Sequence, residues 1–255
     1  MTERIDRAIR NAYIDLIKRS ITNFHYLGGT SSFEEFRSVT HYDLENSRWK
    51  IDRLACPLTL LTKGQLDLLE SVVATLESQK VPGDFIEAGV WRGGVIVLLR
   101  ALLGAYGISD RKVFAADSFE GIPLNSSDRT DPVNAWSDRW VAKLDEVQQN
   151  IRRFGILDER IRFVVGYFSD SLRNLSQERF ALIRLDSDSY DSVLTSLEYL
   201  YPRLSKGGFL IVDDWHLQGC RDAVKDYLTK HAIAEDVHVR DNNAFWIKQK
   251  EFGEC

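Results

Sequence analysis

The chain lacks the signatures of several protein classes. No apolar run is long enough to span a bilayer, and the N-terminal Met1-Thr2-Glu3-Arg4 leads into a charged amphipathic stretch without the apolar core of a signal peptide. No cluster of Lys and Arg marks a nucleic-acid or anionic-membrane surface, and the formal net charge is -5. The cysteines, Cys56, Cys220 and Cys255, are few and widely spaced, and none forms a C-x-x-C pair. That argues against a zinc knuckle or a disulfide scaffold and fits a reducing compartment. Internal repeats and low-complexity tracts are missing, as is the G-x-G-x-x-G turn that cradles a pyrophosphate. The expectation is a cytoplasmic globular protein whose partner is a small molecule, with neither nucleic acid nor membrane as a target.

What is present is a regular alternation. Residues 5–24 place Ile5, Ile9, Tyr13, Leu16, Ile17 and Phe24 at helical spacing. Residues 28–60 read as irregular, with Gly28-Gly29 and Ser31-Ser32 marking a loop. Thr62-Lys63-Gly64-Gln65 fits a capping box at the start of a second helix. After Val81-Pro82-Gly83, short apolar strands (84–87, 112–116, 162–165, 181–185, 209–212) alternate with helices (95–103, 140–153, 192–201, 220–229). This pattern predicts a parallel sheet covered on both faces. Residues 237–240 and 244–248, joined by Asp241-Asn242-Asn243, read as a terminal hairpin. The organisation expected is a helical N-terminal extension over 1–80, acting as lid or oligomerisation element, and a Rossmann-like α/β domain over 81–255.

Four strand ends carry chemistry. The first runs into Glu87-Ala88-Gly89-Val90-Trp91-Arg92-Gly93-Gly94. Glycines there permit a tight turn and close approach to a ligand, and the following helix N-terminus offers N–H groups to an anion. Glu87 would repel a pyrophosphate but suits an ammonium, and S-adenosylmethionine carries both an ammonium and a carboxylate. The second strand ends in Asp117, placed to accept from ribose hydroxyls, a role shared with nicotinamide enzymes. A turn-forming acid ahead of Ser118 and Gly121 is the plainer alternative.

The fourth and fifth strands end in Asp186-Ser187-Asp188 and Asp213-Asp214. If the strand continues, Asp186 and Asp188 project to one side. Neighbouring strands deliver all these acids to one sheet edge, where a hard cation, Mg²⁺ first, would relieve their repulsion. A cation would also acidify an alcohol that an aspartate, with a pKa of about 3.9, cannot deprotonate alone. Asp188 could instead cap the next helix, and Asp213 and Asp214 could be solvated.

The segments 82–94, Ala116-Asp117-Ser118-Phe119-Glu120-Gly121, 184–190 and 201–214, with Leu16-Ile17-Lys18-Arg19-Ser20 near the N-terminus, resemble the macrocin and mycinamicin sugar O-methyltransferases and the related novobiocin-pathway enzyme. The resemblance implies a class I S-adenosylmethionine methyltransferase fold, a mostly parallel seven-stranded sheet with a C-terminal antiparallel hairpin. It implies Asp186, Asp213 and Asp214 as Mg²⁺ ligands and Asp188 as general base. Glu87, Gly89, Trp91, Gly93, Asp117, Ser118, Gly166, Phe168 and Asp186 would line the S-adenosylmethionine pocket. It further implies a homodimer or larger homo-oligomer, and a sugar hydroxyl of a glycosylated natural product as acceptor. Two stretches depart from it. Leu54-Ala55-Cys56-Pro57-Leu58-Thr59 lacks a His-Thr-Met pattern, and 125–140 brings in Trp136 and Trp140. Both would face the acceptor. The competing readings are a catechol methyltransferase, a nicotinamide oxidoreductase and a non-catalytic binding module.

Overall fold

A computed structural model describes residues 2–23, 40–43, 48–51, 57–123 and 140–250. Helix α1 (Thr2–Ile21) buries Ile14, Ile17 and Ile21 against the body of the protein. Its opposite side leaves Ile9, Tyr13 and Leu16 exposed. The stretch read as irregular contains an antiparallel pair, β1 (Thr40–Asp43) and β2 (Arg48–Ile51). Too short and too polar for an alternation signal, these strands escaped the sequence pattern. Phe24, Cys56, Trp136 and Cys255 lie outside the described residues.

Helix α2 (Lys63–Ser78) begins at the anticipated capping box: the Gln65 N–H donates to the Thr62 hydroxyl, and the Thr62 N–H donates to Gln65 Oε1. There follow β3 (Asp84–Ala88), α3 (Gly94–Ala105), β4 (Val113–Asp117), α4 (Leu144–Arg153), β5 (Ile161–Val165), the short α5 (Phe168–Ser171), β6 (Phe180–Leu185), α6 (Tyr190–Leu200), β7 (Leu204–Val212), α7 (Gln218–Lys230), β8 (His238–Arg240) and β9 (Asn243–Ile247). Helix α4 starts four residues later than its apolar spacing implied, and β7 starts five residues earlier.

The strand order is β5-β4-β3-β6-β7-β9-β8. The first five strands run parallel, and β9 and β8 close the sheet antiparallel. Alternation fixes the register. Phe85, Leu182, Phe209 and Ile211 join one apolar layer with α1, α2 and α3. Ile86, Ile183, Leu210 and Val212 join the other with α6 and α7. Each such side chain contributes about 1.5–3 kcal/mol when buried, and a one-residue slip would exchange the faces. The first layer is continuous across residue 80, so α1 and α2 share the core of the sheet domain. Because β3 leads to β4 on one side and pairs with β6 on the other, the chain reverses direction across the sheet between β3 and β6. Ligands bind beyond the strand ends at such a switch point in this fold class.

Candidate active site

The turn after β3 is shaped by its contact with β6. Gly89 has φ +95°, and a Cβ there would lie 1.6 Å from the Asp186 carbonyl oxygen. Its N–H donates to the Ala116 carbonyl at 2.9 Å, while the Asp186 N–H donates to that of Ala88 at 2.8 Å. Trp91 is also left-handed, with φ 45°, and Gly93, with φ 89°, caps α3. The Gly94 N–H is taken by the Leu58 carbonyl at 3.0 Å, so this helix end is tied partly to the N-terminal segment rather than held open for an anion.

Asp117 ends β4 and binds this turn directly. Its Oδ2 accepts from the N–H of Val90 (2.7 Å) and Trp91 (3.2 Å), and its Oδ1 from that of Phe119 (2.7 Å). Burial pushes its carboxyl up, against the effect of those three bonds. Ser118 donates to the Gly121 carbonyl at 2.8 Å.

One buried guanidinium organises the centre. Arg184, 1% exposed, donates from Nη1 to Glu87 Oε1 (2.5 Å) and Asp186 Oδ2 (2.8 Å), and from Nη2 to Asp213 Oδ2 (2.7 Å). The surrounding carboxylates hold it charged despite burial. Glu87 is pushed well up by burial, and its second oxygen is enclosed without a hydrogen-bond partner among the described residues. Asp213 is also raised, to about 7, by burial. Its Oδ1 accepts from Gln65 Nε2 at 3.1 Å and from Asn243 Nδ2.

The carboxylates of Asp186, Asp188 and Asp214 come together, each offering an oxygen within 4.8 Å of the others. A continued strand is not what brings them there, since β6 ends at Leu185. Asp188 and Asp214 both adopt left-handed backbone, with φ 59° and 52°. Such strain in non-glycine residues collects at functional sites. The cap of α6 is Ser189, whose hydroxyl accepts from the Ser192 N–H, which leaves Asp188 outside that role. Asp214 Oδ2 is buried without a partner among the described residues, and burial beside Asp188 and Asp186 drives its carboxyl well up. An orphan carboxylate oxygen within an acidic group fits a divalent cation. Of the acids proposed from sequence as ligands, Asp213 is the one turned away, toward Arg184, Gln65 and Asn243.

A cavity of about 430 Å³ lies over these strand ends. Glu87, Gly89, Trp91, Asp117, Ser118 and Phe168 border one part of it, and Asp186, Asp188, Asp213 and Asp214 another. Gly93 and Gly166 do not border it. Gly93 ends the turn behind Trp91. Gly166 donates its N–H to the Asp117 carbonyl at 3.0 Å. Trp140 meets Trp91 edge to face at 5.6 Å and forms an apolar wall. His216 borders the cavity, 4.0 Å from Asp214, whereas Trp215 faces a separate groove.

Sequence reasoning missed the roles of Arg184, Gln65 and Asn243. Only Arg184 left a signal, as the one charge in Phe180-Ala181-Leu182-Ile183-Arg184-Leu185. A charge inside a fully buried strand must be paired.

This topology, with a glycine turn at the switch point and an acid ending the next strand, is that of a class I S-adenosylmethionine methyltransferase. The chain belongs to the macrocin O-methyltransferase (TylF) family, whose model matches residues 10–249. It is 37% identical over 243 residues to the 8-demethyl-8-(2,3-dimethoxy-alpha-L-rhamnosyl)-tetracenomycin-C 4'-O-methyltransferase of Streptomyces olivaceus, covering 93% of this chain and 92% of that one. It is 33% identical to the mycinamicin III 3''-O-methyltransferase of Micromonospora griseorubida, covering 92% and 95%. The structure of the O-methyltransferase NovP superposes with a TM-score of 0.81 at 31% identity, over 94% of this chain and 100% of that one. The protein is an S-adenosylmethionine-dependent O-methyltransferase, and the nicotinamide and non-catalytic readings fall.

Proposed function

We propose that the enzyme methylates a sugar hydroxyl of a glycosylated natural product with the help of Mg²⁺. The observation that carries this reading is the convergence of Asp186, Asp188 and Asp214 beside the donor turn. Relatives named for rhamnosyl-tetracenomycin and mycinamicin acceptors support the substrate class. Asp186, Asp213 and Asp214 would hold the cation, Asp213 by giving up part of its bonding to Arg184, since both of its oxygens have protein partners. The cation would supply the Lewis acidity that lets an acceptor hydroxyl lose its proton near neutral pH.

The chain's own residues do the rest. Glu87 presents its unpaired oxygen to the donor's ammonium. Asp117 accepts from the ribose hydroxyls by trading its hydrogen bonds to the turn. Asp188, which does not cap α6, takes the acceptor proton as the new carbon–oxygen bond forms and the carbon–sulfur bond breaks. Trp91 and Trp140 exclude water on the donor side. Alignment of oxygen, methyl and sulfur supplies a large part of the acceleration. The homo-oligomer belongs to the same proposal and is read by sedimentation.

The test is Asp188→Asn assayed by mass with labelled donor against rhamnosyl glycosides and matched catechols. Wild type is expected to methylate the glycosides. The variant is expected to bind donor with nearly unchanged affinity and to lose transfer. A variant with near wild-type turnover removes Asp188 as base, and exclusive methylation of catechols replaces the sugar reading.

A further inference from the structure

Gln65 has two partners, and they belong to different tasks. Its Oε1 accepts the Thr62 N–H at 2.8 Å and closes the capping box of α2. Its Nε2 donates to Asp213 Oδ1 at 3.1 Å, across 148 positions of sequence. A capping box is served equally by Glu or Gln at this position. Only the amide can accept from Thr62 and donate to Asp213 at once, so the second bond selects Gln. The residue is 8% exposed, which leaves little water to replace either bond.

The surrounding contacts give this bond a wider effect. A Cβ on Gly64 would lie 2.1 Å from Asp241 Oδ2, so the start of α2 is pressed against the β8–β9 turn. That turn supplies Asn243, the other donor to Asp213 Oδ1. Just before α2, Leu58, Thr59 and Leu61 border the cavity, and the Leu58 carbonyl holds the Gly94 N–H. Gln65 therefore joins the N-terminal wall of the pocket to the acid at the tip of β7.

We infer that Gln65 is a positioning residue for methyl transfer, holding Asp213 in register with Asp186 and Asp214 and tying that register to the ordered start of α2. The inference rests on the reading that Asp213 takes part in the site. Partners that orient a ligating carboxylate change metal affinity or turnover by about 10- to 100-fold when removed, which sets the scale of the effect.

The experiment compares Gln65→Met, which nearly preserves shape and removes both bonds, with Thr62→Ala, which loses the cap hydroxyl and spares the bond to Asp213. Both are expected to lower the melting temperature of chelator-treated protein by a similar amount, about 2–4 °C. Only Gln65→Met is expected to lose about 10-fold or more in kcat and in Mg²⁺ affinity by calorimetry, with donor KM unchanged. Gln65→Lys, which offers an N–H but cannot accept from Thr62, is expected to regain part of both and guards against a Gln65→Met protein that fails to fold. Wild-type kcat and Mg²⁺ affinity in Gln65→Met overturn the inference, as does an equal loss in Thr62→Ala or no recovery in Gln65→Lys. Asp213→Asn separates the two levels. If it turns over like wild type, the site reading itself fails. If it is inactive while Gln65→Met is normal, only the role of Gln65 fails.

Discussion

Replacing Arg184 with methionine removes one charge that three carboxylates share. Glu87 and Asp213 are buried, whereas the Asp186 side chain is 32% exposed, so water partly screens its share. The cost therefore comes mainly from Glu87 and Asp213, which would be left facing each other in a low-dielectric interior. Breaking a buried pair by removing one partner costs about 3–5 kcal/mol. A domain of this size loses about 2–4 °C per kcal/mol, so the melting temperature should fall by roughly 10 °C. Differential scanning calorimetry of chelator-treated protein measures it. Adding Glu87→Gln should recover part of the loss, because the second change removes the most deeply buried orphan charge, and coupling between such contacting residues runs to about 0.5–3 kcal/mol. An Arg184→Met protein within about 1 kcal/mol of wild type, or a double variant less stable than the single one, would refute the hub as a source of stability.

Gly89→Ala forces a side chain to within 1.6 Å of the Asp186 carbonyl oxygen at φ +95°. It should cost about 1–3 kcal/mol in backbone strain alone and weaken donor binding in a calorimetric titration, and an unchanged donor affinity would contradict the close packing of this turn on β6. Chelation should abolish transfer and added Mg²⁺ should restore it, whereas full activity of metal-free protein would reject the cation. The pH dependence of the metal-free protein has a definite sign. Burial raises Asp213 to about 7, so folding takes up a proton between the ordinary aspartate value and that one. Asp213 thus contributes stability at low pH that is lost as pH rises through about 7, and Glu87, also raised by burial, acts in the same direction. The melting temperature of chelated protein should therefore fall from about pH 5 to about pH 7; a rise across that window would contradict these shifts.

The parts of the structure legible in the sequence were those set by periodicity and turn chemistry. The strands from Asp84 to Val212 alternate between two apolar layers, and both layers leave their period in the sequence. The Thr62 capping box and the hairpin around Asp241-Asn242, both with positive φ, are local motifs whose residue types state their geometry. The acids were legible as a group because adjacent parallel strands must end at one edge. Their individual orientations were not, since these follow from backbone reversals after the strands end. Asp186 and Asp188 converge through the left-handed turn at Asp188, not through the strand pleat invoked from sequence.

Asp213 and Asp214 show why spacing alone cannot divide the labour among carboxylates. They are neighbours in sequence, Asp213 buried and Asp214 half-buried. One faces Arg184, Gln65 and Asn243, and the other faces Asp186 and Asp188. The left-handed backbone at Asp214 sends the two side chains apart. What decides the outcome is the set of donors waiting on each side, and two of those donors come from α2 and β9, distant in sequence and without any charge to announce them. A buried carboxylate with three donors is held in place, whereas one with an orphan oxygen is stable only when a cation or proton arrives. The same residue type at two adjacent positions thus takes on two states, one carboxylate already held by protein donors and one with an oxygen open to a ligand, through its neighbours alone.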